Sequence, residues 1–304
     1  MTQILVRAGC FCAIILLGHV LRRVNYFKKE DFAVLSKIVI RITLTCAIVN
    51  SFNGKLLDPA MLTMTLFGFG FGLSLASLAC FFSRKSSPGV RAFAVLNTTG
   101  VNIGNFVLPF AQSFLGGEAV MAVSLFDVGN SFFCLGGAYG LALAMSRGEK
   151  RIDVRPVFSA LSRSVPFITY ILMTFLCAFG MSLPWPIAEF TGIVGNANAF
   201  LAMLMLGVGF NISPDREKIG LIVRIPSVRF SLGIGLSLLS WFILPLPFSM
   251  RQALAILFLG PIASAAPAFT EQMKGDHELS SAVNSLSIVI SVLLIVVCLT
   301  QVAA

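Results

Sequence analysis

Long apolar runs separated by short polar connections dominate the chain. Read with a window of about 20 residues per membrane span, the runs predict ten helices at 3–21, 33–53, 60–82, 91–114, 119–145, 165–183, 188–211, 222–245, 250–270 and 281–303. The runs are continuous, as in SIVISVLLIVVCL from Ser287 to Leu299, and lack the alternation of a β-barrel strand. The longest polar connection is SRGEKRIDVR, 146–155.

Basic residues set a direction. The odd-numbered connections carry Arg22, Arg23, Lys28 and Lys29, then Arg84 and Lys85, then Arg147, Lys150, Arg151, Arg155 and Arg163, then Arg216 and Lys218. The even-numbered ones are nearly bare, with Lys55 and, near the last, Arg251. By the positive-inside rule the odd connections are cytoplasmic and both termini face outward. Arg22 and Arg23 follow the first apolar run rather than precede it, which is the pattern of a span and not of a cleaved leader.

Two predicted spans are poor helices. The fourth contains NTTGVNIGNFVLP (97–109), with Gly100, Gly104 and Pro109. The ninth contains LGPIASAAP (259–267), with Gly260, Pro261 and Pro267. A proline inside a helix costs about 3 kcal/mol or more, and broken backbone at membrane depth is tolerated only inside protein or beside a wet cavity. Both segments continue with proline, seven residues, glycine and an acid: PFAQSFLGGE (109–118) and PAFTEQMKGD (267–276). Ten spans divide into five plus five, and an odd-numbered repeat inserts upside down relative to its partner. The expectation is therefore an all-α membrane protein with two inverted five-helix repeats, 1–145 and 165–304, joined by a cytoplasmic connection at 146–164. Half-helix N-termini near the midplane would favour an anion.

Composition agrees with the bilayer. Of 304 residues 57% are hydrophobic and 12% charged, about half the charge of a soluble domain, and mean hydropathy is +0.92. The net charge of +9 sits between spans, with no basic stripe carrying interleaved aromatics, so it argues for a lipid surface and against nucleic acid. Seven cysteines lie in apolar runs without metal-ligand spacing. There is no nucleotide-binding loop and no intramembrane protease motif, so the expectations are a transporter rather than an enzyme, no cofactor, and a gradient or the membrane potential as energy source.

The stretches NTTGVNIGNFVLPF followed by GGEAV, SLFDVGNSFF (124–133), LGVGFNISP (206–214) and GPIASAAPAF to NSLSIVISVL (260–294) resemble the auxin efflux carrier family, which includes plant PIN transporters and bacterial carriers of malonate and similar organic acids. The resemblance covers the whole chain and is that of a bacterial member. It implies a fold like NhaA and the bile-acid symporters, with spans 1, 2, 6 and 7 as a scaffold. Spans 3–5 and 8–10 would form a transport domain whose fourth and ninth helices cross at Pro109 and Pro267. It further implies elevator-like alternating access and a homodimer through the scaffold. The chain departs from the family at Thr45, where the second span usually carries a proline, and at Arg41.

The candidate substrate residues are Asn102, Asn105, Asp127, Asn130, Ser264 and Arg41. Asn102 and Asn105 either cap broken helix ends or bind substrate. Asp127 and Asn130, three apart on one helix face, either carry a proton or Na⁺ or hold the unwound fourth span; an intramembrane carboxylate is a functional candidate by default. Arg41 either snorkels to the cytoplasmic side or meets the substrate anion or Asp127. Asn284, Ser287 and Ser291 share one face of the tenth span and would face the crossing. The pairs Gly68/Gly72 and Gly136/Gly140 read as close-packing contacts, and His19 as a satisfied membrane histidine. The expected function is secondary transport of a small organic anion. The rival readings are a Na⁺- or H⁺-coupled symporter or antiporter and a non-transporting receptor.

Overall fold

A computed structural model of the chain describes residues 2–28, 30–149, 152–211 and 219–302. Lys29, Lys150, Arg151, Arg216, Lys218 and residues 212–214 of the stretch 206–214 lie outside the described residues. Among the described residues the regular structure is helical: α1 (Thr2–Arg23), α2 (Asp31–Phe52), α3 (Pro59–Ser83), α4 (Pro88–Thr98), α5 (Leu108–Phe114), α6 (Gly117–Arg147), α7 (Arg155–Arg163), α8 (Val165–Ala178), α9 (Trp185–Gly209), α10 (Ile219–Phe242), α11 (Phe248–Leu257), α12 (Ala266–Gln272) and α13 (His277–Val302).

Seven of these, α1, α2, α3, α6, α9, α10 and α13, are long and apolar enough to cross a membrane. An eighth span forms if α7 and α8 are taken together across their 73° bend. The chain is an all-α, membrane-embedded protein. The segments 88–114 and 248–272 are each interrupted, α4 from α5 and α11 from α12; a widened helical turn, Ile103–Val107, runs directly into α5. The connection 146–164 is not wholly loop: α7 turns Val157 and Leu161 inward and carries Arg155 and Arg163 at its ends, the residue distribution of a helix lying along a membrane surface.

Glycines let helices approach where no hydrophobic gradient between lipid and protein drives association. A Cβ on Gly68 of α3 would fall 2.0 Å from the Phe126 carbonyl oxygen of α6, and one on Gly129 2.0 Å from that of Thr65. Gly207 of α9 meets α1 in the same way, at the Ile15 carbonyl. Gly68 thus packs as expected, but Gly136 does not. Its φ of 145° places it in the left-handed region that glycine tolerates, and it kinks α6 at the widened turn Phe133–Gly137.

Polar side chains join α2 to α9. The Thr43 hydroxyl donates to Asn198 Oδ1 at 3.0 Å, Asn50 Nδ2 to the Thr191 carbonyl at 2.9 Å, and the Thr191 hydroxyl to Asn50 Oδ1 at 3.1 Å. Helix α2 is widened at Val39–Thr43, just before Thr45, whose hydroxyl donates to the Ile40 carbonyl.

Candidate functional site

The two interrupted segments meet. Val101 and Ile262 form an isolated antiparallel bridge, and the Asn102 amide donates to the Pro261 carbonyl at 2.9 Å. The approach is possible because of glycine. Gly100 has φ 86°, and a Cβ on Gly260 would lie 2.5 Å from Val101 Cγ1 and 2.8 Å from Val107 Cγ2. Pro261 adds no backbone N–H that would need a partner.

The crossing therefore falls at Val101 and Ile262, upstream of Pro109 and Pro267. Pro267 opens α12, whereas Pro109 lies inside the helical stretch that begins at Ile103 and runs on through α5. Pro109 follows the widened turn Ile103–Val107; for Pro267, in the first turn of a helix, the missing N–H is an orphan in any case and the fixed φ suits the helix. A crossing needs the opposite, namely N–H groups that can donate and residues without side-chain bulk.

Unwound backbone in a dry interior must find other partners, and three helices supply them. From α6, Asn130 accepts the Val101 N–H on Oδ1 at 2.9 Å and donates Nδ2 to the Val101 carbonyl at 2.8 Å. From α13, Ser287 Oγ accepts the Ile262 N–H at 3.1 Å, Asn284 Nδ2 donates to the carbonyls of Ile262 and Ala263 at 3.3 and 3.1 Å, and Ser291 donates to Leu259. From α10, Arg229 donates Nη1 to the Thr98 carbonyl and Nη2 to those of Gly260 and Pro261, the latter two at 3.0 and 3.1 Å. Each of the two bridge residues thus has its N–H accepted by a side chain and its carbonyl met by an asparagine amide.

Arg229 is 0% exposed and belongs to no ion pair among the described residues. The sequence does not single it out, because Arg224 and Arg229 in one apolar run look like residues that snorkel; only Pro226 and Ser227 between them hint that α10 is not an ordinary lipid-facing span. It also revises the electrostatics. This guanidinium places a full positive charge at the crossing, beside whatever the helix that begins at Ile103 and the short α12 contribute by their N-termini.

Hydrogen bonds gather the candidate residues into two groups, one around Asp127 and Asn130 and one around Asn105 and Ser264. In the first group Asp127 is half-buried and accepts Asn130 Nδ2 on Oδ1 and the Tyr170 hydroxyl of α8 on Oδ2, both at 2.9 Å. Tyr170, fully enclosed, was not foreseen; nothing in FITYILMTF distinguishes it from a packing residue. In the second group Asn105 Nδ2 reaches Ser264 Oγ at 3.4 Å. Asn105 Oδ1 and Asn102 Nδ2 are buried and have no hydrogen-bond partner. Ser264 and Asn284 line a cavity of about 420 Å³ whose wall also includes Arg22, Asn211, His277 and Ser281.

Arg41 does not join this group. It is exposed on α2, and Asp127 takes its two bonds from Asn130 and Tyr170. The residues of α2 that turn inward here are Val39, Thr43 and Leu44, and Leu44 closes on Gly104, where a Cβ would come within 2.6 Å of its Cδ2. Asn97 is also structural: it is 0% exposed, donates to the Phe93 carbonyl and Thr270, and accepts from Ser280, tying α4 to α12 and α13. His19 departs from the expectation of a satisfied ring, since its buried Nδ1 has no partner. Glu271 is exposed beside His277.

Fold and site together define a membrane-embedded helical protein with two crossing interrupted segments and a polar cavity beside them. No protein-family model matches the chain, and no curated protein matches it.

Proposed function

We propose that the chain is a secondary transporter that moves a small organic anion, a carboxylate of malonate or auxin type, across the cytoplasmic membrane. In this reading 88–114 and 248–272 are the fourth and ninth of ten spans, in two inverted repeats of five with both termini outside. The scaffold comprises α1, α2, α8 and α9, and helices α3 to α6 and α10 to α13 slide against it as an elevator. The resemblance to the auxin efflux carriers supports the same plan.

One observation carries the proposal. The chain keeps two costly breaks, satisfies their backbone with side chains from three helices, and still leaves Asn102 Nδ2 and Asn105 Oδ1 unpartnered, Asn105 reaching Ser264 in the cavity wall. A buried polar atom without a partner costs about 1–3 kcal/mol, a cost that a bound ligand would remove. Asn102, Asn105 and Ser264 are assigned to the substrate, and Asn130, Asn284 and Ser287 to holding the crossing.

Uptake of labelled malonate and other mono- and dicarboxylates into proteoliposomes tests this. Flux is expected for at least one of them and is expected to be lost in Asn105→Ala, which should melt close to the wild type. Binding of an organic acid without flux of any would favour a receptor. A second reading is a symporter or antiporter coupled through Asp127, favoured by that carboxylate holding two neutral donors and no cation. Flux in Asp127→Asn that no longer responds to a pH or sodium gradient would support it; wild-type flux insensitive to both gradients would exclude it.

A further inference from the structure

We infer that Arg229 is a built-in cation: its guanidinium takes the place at the crossing that a coupling metal ion would occupy, and the substrate anion binds there without sodium. The inference rests on the transport reading for its substrate and not for its test.

The three carbonyls held by Arg229 come from both interrupted segments, Thr98 from the first and Gly260 and Pro261 from the second. Carbonyl oxygens freed from a helix and turned toward one point are ligands of the kind that hold hard monovalent cations in unwound membrane helices. Here their partner is a planar fork with donors on two branches. Arginine can bridge two backbones in this way, whereas the point charge of lysine serves a single centre. Arg229 lies among buried Ile225, Pro226, Phe230 and Gly233 and is itself 0% exposed.

The charge balance points the same way. A buried cation is stable only when paired and hydrogen-bonded. Asp127, the ionisable carboxylate on the neighbouring α6, is bonded to Asn130 and Tyr170 instead, and the Arg229 Nε has no partner. The crossing thus carries a fixed positive charge without a contacting counter-ion. An anion near Asn105 and Ser264 supplies the opposite charge, and a metal ion competing for the same three carbonyls would meet the guanidinium already there.

Thermal unfolding of the purified protein provides the test. For the wild type the melting midpoint is expected to be the same in sodium chloride and in choline chloride of equal ionic strength. Arg229→Ala is expected to melt roughly 10 °C lower, three carbonyls having lost their donor. Millimolar methylguanidinium or sodium, but not choline, is expected to restore part of that loss. A sodium-specific rise in the wild type overturns the inference, and so does a folded Arg229→Ala that neither ion rescues. Should Arg229→Ala yield no folded protein, the wild-type comparison decides alone: a sodium-specific rise overturns the inference and an unchanged midpoint supports it. Rescue by methylguanidinium in a protein that transports no organic anion would leave the built-in cation standing and remove the transport reading.

Discussion

Asn130→Ala is the sharpest perturbation of the crossing. The asparagine is 1% exposed and serves both polar groups of Val101, accepting the N–H at 2.9 Å and donating to the carbonyl at 2.8 Å. Alanine leaves both groups in place and buried. The Val101 carbonyl keeps the Ile103 amide at 3.0 Å and a weak thiol contact from Cys134 at 3.5 Å, so most of the loss falls on the N–H. Each buried group left without a partner costs about 1–3 kcal/mol, which puts the expected destabilisation at roughly 2–4 kcal/mol. Asn130→Asp retains an acceptor for the N–H and loses the amide donor, so it should recover part of the difference. The assay is thermal unfolding in detergent together with hydrogen exchange at the Val101 amide, with Ser74→Ala on the exposed face of α3 as control. Exchange at Val101 should accelerate in Asn130→Ala and return toward the wild type in Asn130→Asp. If Asn130→Ala melts with Ser74→Ala and exchange at Val101 is unchanged, the asparagine does not hold the crossing and the argument fails.

Other consequences are independent of that one. Gly260→Val places branched carbons where a Cβ alone already lies 2.5 Å from Val101 Cγ1; overpacking of this kind costs about 1–3 kcal/mol, and a melting curve equal to the wild type would refute the close approach. Gly136→Ala must adopt φ 145° and is expected to lose a similar amount to strain, about 1–3 kcal/mol, although a Cβ there would only touch Val157 at ordinary contact distance, 3.6 Å; thermal unfolding again checks it. Ser264→Cys should react with a water-soluble thiol reagent through the cavity and be protected by a transported anion, whereas Ser287→Cys, 0% exposed, should stay unlabelled; equal labelling of the two would contradict the cavity. Tyr170→Phe removes one of two donors to Asp127; because the bond joins α8 to α6, across the expected scaffold boundary, flux should change more than the melting temperature, and a change in melting alone would make the bond merely structural.

Hydropathy and charge, both local sums along the chain, were enough to define a membrane-embedded helical protein and the approximate place of each apolar segment. Glycine and proline were enough to locate the two breaks, because each acts on the backbone of its own residue: Gly100 and Gly260 do lie where the segments meet. The prolines misled by position, since Pro267 opens α12 and Pro109 lies within the helical stretch from Ile103, and a sequence does not distinguish such residues from one that lies at a crossing. Asn284, Ser287 and Ser291 could be grouped by helical spacing before their partners were known. Those partners are decided by tertiary structure alone. Hydrogen bonds between Asn130 and Val101, or between Arg229 and Thr98, Gly260 and Pro261, join residues far apart in the chain. Whether a buried polar group costs or contributes free energy depends on which other group reaches it. For the same reason Arg41 and Arg229, both arginines in apolar surroundings, could be told apart only by the fold: one is exposed on α2, and the other is enclosed between the two unwound segments.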